Sequence, residues 1–198
     1  MTKFFRFIVC FVTVATSFAK LPQSPPLEKV GSDYIYGGLK YGDSRDEVLS
    51  KLRKQGFIQI YEERDKGVVH CAVRWDGFRY GLVSKLVNGK LELCLIEGNK
   101  GWQDFHFNEV VTEEWKKLRA RIIKTYGNPE NSRNFPEAFE IPLNDLGGVV
   151  TDLWNLQDRT LMLSVRKYET KDCCTDQILE FTCCTLLIKP IIKTSLSK

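Results

Sequence analysis

Two pairs of adjacent cysteines, Cys173-Cys174 and Cys183-Cys184, are the residues whose type and spacing bear most directly on chemistry. Neighbours on a strand point to opposite faces. Two such pairs facing each other across a hairpin are therefore suited to one disulfide per face, Cys173 with Cys184 and Cys174 with Cys183. The separation leaves room for a closed turn, whereas a bond within either pair would close a small strained ring. Unpaired thiols and a four-thiolate zinc site are the alternatives, although adjacent cysteines lack the usual ligand spacing of about two to four residues. No Cys-x-x-Cys occurs, so a thiol redox catalyst has no motif here.

Other reactive side chains are sparse. The two histidines, His70 and His106, have no neighbours that suggest a metal site or a general base, and structural or solvated roles suit them better. Nucleophile elbows, His-Glu-x-x-His, phosphate loops and dinucleotide fingerprints do not occur. Glu62-Glu63 and Glu113-Glu114 are adjacent in sequence and do not converge as catalytic carboxylates do. No catalytic residue, metal ligand or cofactor site is assigned from the sequence.

The elements that would position these residues are legible. Ser44 and Glu47 form a capping box, Val48, Leu49 and Leu52 line one helix face, and Gly56 ends that helix. Phe57 to Tyr61 reads as a strand, followed by strands 68–75, 78–87 and 90–97. Asp76-Gly77 and Asn88-Gly89 join them, the dipeptides that suit two-residue hairpin turns. The turns set the pairing. Trp75 faces Phe78, Val73 faces Tyr80 and Cys71 faces Leu82. Across the second turn Leu86 is expected to face Leu91, Ser84 to face Leu93 and Leu82 to face Leu95. This register puts Cys71 in the core and Cys94 on the outer face, about 10 Å apart across an intervening strand and beyond disulfide reach.

The outer face then carries His70, Arg74, Arg79, Val83, Lys85 and Ile96, with Lys85 opposite Glu92. A mixed basic and apolar surface suits capture of an acidic partner. A second helix opens at Thr112, with Glu113 and Glu114 in its first turn and Trp115, Leu118, Ile122 and Tyr126 as its buried stripe. Gly127-Asn128-Pro129 stops it, and strands follow at about 149–156, 160–167 and 178–188. The fold expected is α+β, with two helices packed on an antiparallel sheet. The two helix-stopping glycines suggest a tandem helix-plus-sheet repeat with halves 33–100 and 101–188.

Residues 1–19 have the order of a secretory signal. Lys3 and Arg6 precede an apolar run from Phe7, and Ser17-Phe18-Ala19 ends in a small-x-small cleavage site. Residues 20–32, with Pro22, Pro25 and Pro26, read as a linker, residues 33–188 as the domain and residues 189–198 as a basic tail. Cleavage after Ala19 would leave six cysteines and 27 basic against 25 acidic residues. An even cysteine count in an exported chain favours disulfides. A nearly neutral chain does not call for nucleic acid, and no second apolar run is long enough to span a membrane.

Gly42-Asp-Ser-Arg-Asp-Glu-Val-Leu, opening a helix that ends at Gly56-Phe57, resembles the entry motif of exported SmpA/OmlA-type proteins. The chain lacks the anchoring cysteine of their lipoprotein members. The helix-and-sheet order also resembles the β-lactamase-inhibitor-protein fold. The resemblance spans roughly residues 38–100, and more loosely 110–188, and implies a small α+β protein that acts by binding other proteins. The expectation is an exported, periplasmic or secreted, non-enzymatic protein-binding module acting through its sheet. The rival classes are a small-ligand carrier or enzyme built from scattered residues, and a structural envelope component.

Overall fold

The computed structural model describes residues 24–27, 34–99, 106–143, 148–171 and 177–191. Helix α1 (Arg45–Lys54) is capped by Ser44, whose side chain accepts from the Glu47 amide while the Glu47 carboxylate accepts from the Ser44 amide. Its Val48, Leu49 and Leu52 are buried. The chain then runs through β1 (Ile58–Glu63), β2 (Val68–Trp75), β3 (Phe78–Val87) and β4 (Lys90–Glu97). After helix α2 (Thr112–Tyr126) come β5 (Asn131–Ser132), β6 (Val149–Asn155), β7 (Arg159–Lys171) and β8 (Ile178–Pro190). The strands form one antiparallel sheet of eight, in the order β1-β2-β3-β4-β8-β7-β6-β5.

Helix α2 opens at Thr112 with Glu113 and Glu114 in its first turn, as expected, but not at a free end of the chain's helical path. A π-helical turn, His106–Val111, runs directly into it, so the helix has no side-chain cap, and the Thr112 hydroxyl donates to the Phe107 carbonyl. Trp115, Leu118 and Ile122 are buried as the spacing predicts, while Tyr126, expected in the same stripe, is half-buried against the core. Glu114 is buried with them and does not sit in solvent at the helix dipole.

Both helices contribute to a single core on one face of the sheet. Val73, Trp75, Tyr80, Leu82 and Ile96 meet Leu52, Leu118, Ile122, Trp154, Leu163 and Leu186 there. Four described residues of the expected linker, Ser24–Leu27, are docked to the domain. Ser24 bonds to both backbone groups of Arg74, and the Pro25 carbonyl accepts from the Trp75 indole and the Tyr36 hydroxyl. Tyr36 also packs edge-on against Trp75 with centroids 5.4 Å apart. A buried tryptophan tied this way is worth about 3–5 kcal/mol against alanine.

The first hairpin has the expected register, from Trp75↔Phe78 to Val68↔Lys85, with Asp76 and Gly77 both at positive φ. The second corrects it. Leu86 faces Leu91 as expected, but Lys85 then faces Leu93 and Ser84 faces Cys94. Glu92 is an extra residue, a β-bulge that reverses the faces of everything after it on β4. Cys94 and Ile96 therefore lie in the core, and Leu93 and Leu95 take the outer face. Lys85 does not pair with Glu92; its ammonium donates to the Lys66 carbonyl, while Glu92 lies 3.9 Å from Lys189.

The disulfide expectation is also corrected at β8. The β7–β8 hairpin is longer than the spacing suggested, and Cys183 and Cys184 sit well inside it, opposite Arg166 and Val165. Both are buried thiols, as are Cys71 and Cys94, and no disulfide joins described residues. Cys173 and Cys174, the expected signal segment and residues 192–198 lie outside the described residues.

Candidate functional site

The helices cover one face of the sheet, and the other carries the candidate site. On β2 and β3 this face presents His70, Ala72 and Arg74 beside Arg79, Gly81 and Val83. Alternation puts them there, because Cys71, Val73, Tyr80 and Leu82 between them are buried in the core. Ala72 and Gly81 are partners, and Gly81 also pairs with Glu97. Two adjoining small residues leave a depression of about 330 Å³. Along β3, Arg79 and Val83 flank Gly81 on either side, with His70 and Tyr61 beside Val83, Gln59 near Arg79, and Glu97 next to Gly81 on β4 with Asn99 beyond it.

Local structure shapes this rim. A bulge in β1 between Ile58 and Tyr61 puts Gln59 at φ 55°, and its amide oxygen accepts from the Arg79 guanidinium. The Tyr61 ring, 58% exposed, stacks on His70 at 4.5 Å between centroids. His70 Nε2 lies 2.9 Å from Glu63 Oε1. The Lys66 ammonium chiefly, with His70 adding to it, holds the Glu63 carboxyl below its ordinary value.

Arg74 and Arg79 are directly opposite each other across β2 and β3. Like charges in that position repel. Neither is ion-paired with a described carboxylate, and Arg74 Nε is buried with no hydrogen-bond partner. On β7 the same face carries Arg166, with one guanidinium nitrogen 3.7 Å from Glu97 and a buried Nε that has no partner either.

Behind the Gly98–Asn99 end lies Glu114. It is fully buried and accepts from the Asn99 amide nitrogen at 2.9 Å and from the Asn99 side chain. The Cys184 thiol points at it from 3.8 Å. Burial pushes the Glu114 carboxyl above its ordinary value against the pull of the Asn99 bonds, and pushes the Cys184 thiol far up.

Of the residues expected on the binding face, His70, Arg79 and Val83 line the depression, and Arg74 and Lys85 flank it on the same face. Ile96 does not belong to it and is fully buried on the helix side. Sequence reasoning missed Gln59, Tyr61, Glu97 and Asn99. Gly81, an interior strand glycine, was the available signal for a depression. The bulge that turns Gln59 inward has no such signature. Among the described residues no group of three His, Cys, Asp or Glu side chains is placed to hold a metal ion. No described helix is long and apolar enough to cross a membrane. No protein-family model, curated protein or solved structure matches the chain.

Proposed function

We propose that this chain is an exported, non-enzymatic protein-binding module that works through the helix-free face of its sheet. The observation that carries the reading is the Arg74–Arg79 juxtaposition. Two facing guanidinium groups, one with an unsatisfied buried Nε, cost stability in the isolated chain and gain it back when an acidic surface covers them. Apolar and aromatic groups beside them, Val83 and Tyr61, add what a binding surface needs. The signal-like order of residues 1–19 supports export. The sequence of elements, a helix with four strands and then a helix with four strands, supports reading the domain as a tandem repeat whose last strands lie side by side as β4 and β8.

The test is capture of a partner from the envelope or secreted fraction of the chain's own host. Arg74→Glu combined with Arg79→Glu abolishes capture on this reading, and unchanged capture overturns it. One observation favours a small-ligand carrier instead: the depression has His70 on its rim with the Glu63 carboxylate 2.9 Å away. That reading predicts a small molecule that co-purifies with the native protein and is lost in His70→Ala.

A further inference from the structure

We infer that the helix-free face takes an extended acidic segment of a partner protein, its carboxylate seated between Arg74 and Arg79 and its apolar side chains on Gly81 and Val83. This rests on the protein-binding reading above and names the chemistry of the partner. Directly opposed residues on neighbouring strands hold their Cβ atoms about 5 Å apart, close enough for one carboxylate to accept from both guanidinium groups. It would cancel the like-charge repulsion, and such charge-assisted bonds are the strong ones. Arg79 is exposed, and its guanidinium donates to the neutral Gln59 amide oxygen, with no carboxylate partner among the described residues.

The spacing along β3 specifies the rest. Arg79, Gly81 and Val83 are alternate residues, about 6.7 Å apart in turn. An extended segment laid along β3 presents its own alternate side chains at that same interval. It places an acid at Arg79, an apolar residue two positions on in the depression over Ala72 and Gly81, and a second apolar residue against Val83 and the Tyr61–His70 stack. The order is acid, any residue, apolar, any residue, apolar, read in either chain direction.

The acids on the rim favour a polypeptide over a polyanion. Glu97 closes the depression on the side of β4, and Glu63 stands beyond His70. A nucleic acid or an anionic lipid surface brings negative charge to all of these points at once, and Glu97, whose Arg166 partner stands 3.7 Å away, repels it more than Glu63, which Lys66 neutralises. A peptide brings one carboxylate to the arginines and leaves the acids facing solvent or its own amide groups.

The experiment is an amide NMR titration of the full chain lacking residues 1–19. The probes are short peptides in which Glu, Leu and Val alternate with Ser, in both orders, and the same peptides with Lys for Glu. Inorganic phosphate and phosphatidylglycerol vesicles are titrated in parallel. The inference expects the Glu peptide to shift the amides of Arg79, Gly81 and Val83, with no response to the Lys peptide. Arg79→Glu weakens the response on the order of tenfold. Gly81→Val, at a site where an added Cβ meets nothing within 4 Å, fills the depression and weakens it similarly while the spectrum stays folded.

Equal binding of the Lys peptide, shifts confined to the helix side, saturation of the same amides by phosphate alone, or preferential capture by vesicles each overturns the inference. So does self-association through this face, seen as a sedimenting dimer lost in Gly81→Val. If no peptide binds but the Arg74/Arg79 double variant still loses its host partner, the acidic-segment inference falls and the broader protein-binding reading stands. If that double variant also captures normally, both fall.

Discussion

Arg74 and Arg79 face each other across β2 and β3 with no described carboxylate between them. This breaks the rule that directly opposed strand residues carry compatible charge. Local rules are broken where function needs it, and the break has a measurable signature. Arg79→Thr, which removes one of the two charges at an exposed strand position, raises stability by about 0.2–1 kcal/mol at low ionic strength. The gain shrinks as salt screens the pair. Urea unfolding at low and high salt checks this, and a loss of stability, or a gain indifferent to salt, contradicts it.

Glu114 makes stability depend on pH in the direction opposite to a salt-bridged carboxylate. Its folded-state value is raised by burial from the ordinary 4.5. Below that ordinary value the acid is neutral folded and unfolded, and it costs nothing. As pH rises from there through the raised value, the unfolded chain ionises first and stability is lost, after which the loss is constant. Glu114→Gln removes this component. The stability difference between variant and wild type therefore shifts in the variant's favour across that window, and a difference independent of pH contradicts the assignment.

Two glycines near the depression separate packing from conformation. A Cβ on Gly98 would stand 2.5 Å from Glu114 Oε2 and 2.7 Å from Cys184 Sγ, whereas one on Gly81 meets nothing within 4 Å. Gly98→Ala is expected to destabilise by about 1–3 kcal/mol. Gly81→Ala is expected to be neutral or stabilising by up to about 1 kcal/mol, since glycine weakens a strand interior. Thermal unfolding of the pair decides it, and equal effects contradict the difference in surroundings.

Much of the framework was legible because local chemistry and periodicity agreed. The Ser44–Glu47 capping box, the Asp76-Gly77 and Asn88-Gly89 turns and the Trp115, Leu118, Ile122 stripe each carry their own signature, and the structure has all of them. The bulge at Glu92 has none. Leu93, Cys94, Leu95 and Ile96 form an apolar run that fits either face, so alternation could not reveal the slip. That single residue moved Ile96 from the expected binding face into the core. The π-helical entry to α2 was hidden for a related reason. Thr112 with two following acids looks like a helix start, yet the helical turn begins at His106 and Glu114 is drawn inside by Asn99.

The four described cysteines are expected to be inert in the native protein. Burial pushes the thiols of Cys71 and Cys94 up to about 12 and holds that of Cys184 well above its ordinary value, so the nucleophilic thiolate is scarce and shielded. Cys183 is buried as well. Alkylation of the folded protein followed by peptide mapping should leave all four unmodified, and denaturant should open them together. Rapid labelling of any of them under native conditions contradicts the burial, and recovery of one in a disulfide contradicts the thiol state.

Site-specific photocrosslinking in the chain's own host shows whether the helix-free sheet face is the working surface. A benzophenone side chain is placed at Val83, beside the depression, and in a second version at Ala120, exposed on α2. Val83 is expected to give a discrete protein adduct that disappears when Arg74 and Arg79 are both replaced by glutamate, and Ala120 to give none. An adduct from Ala120 alone, or a Val83 adduct indifferent to the two arginines, would contradict it.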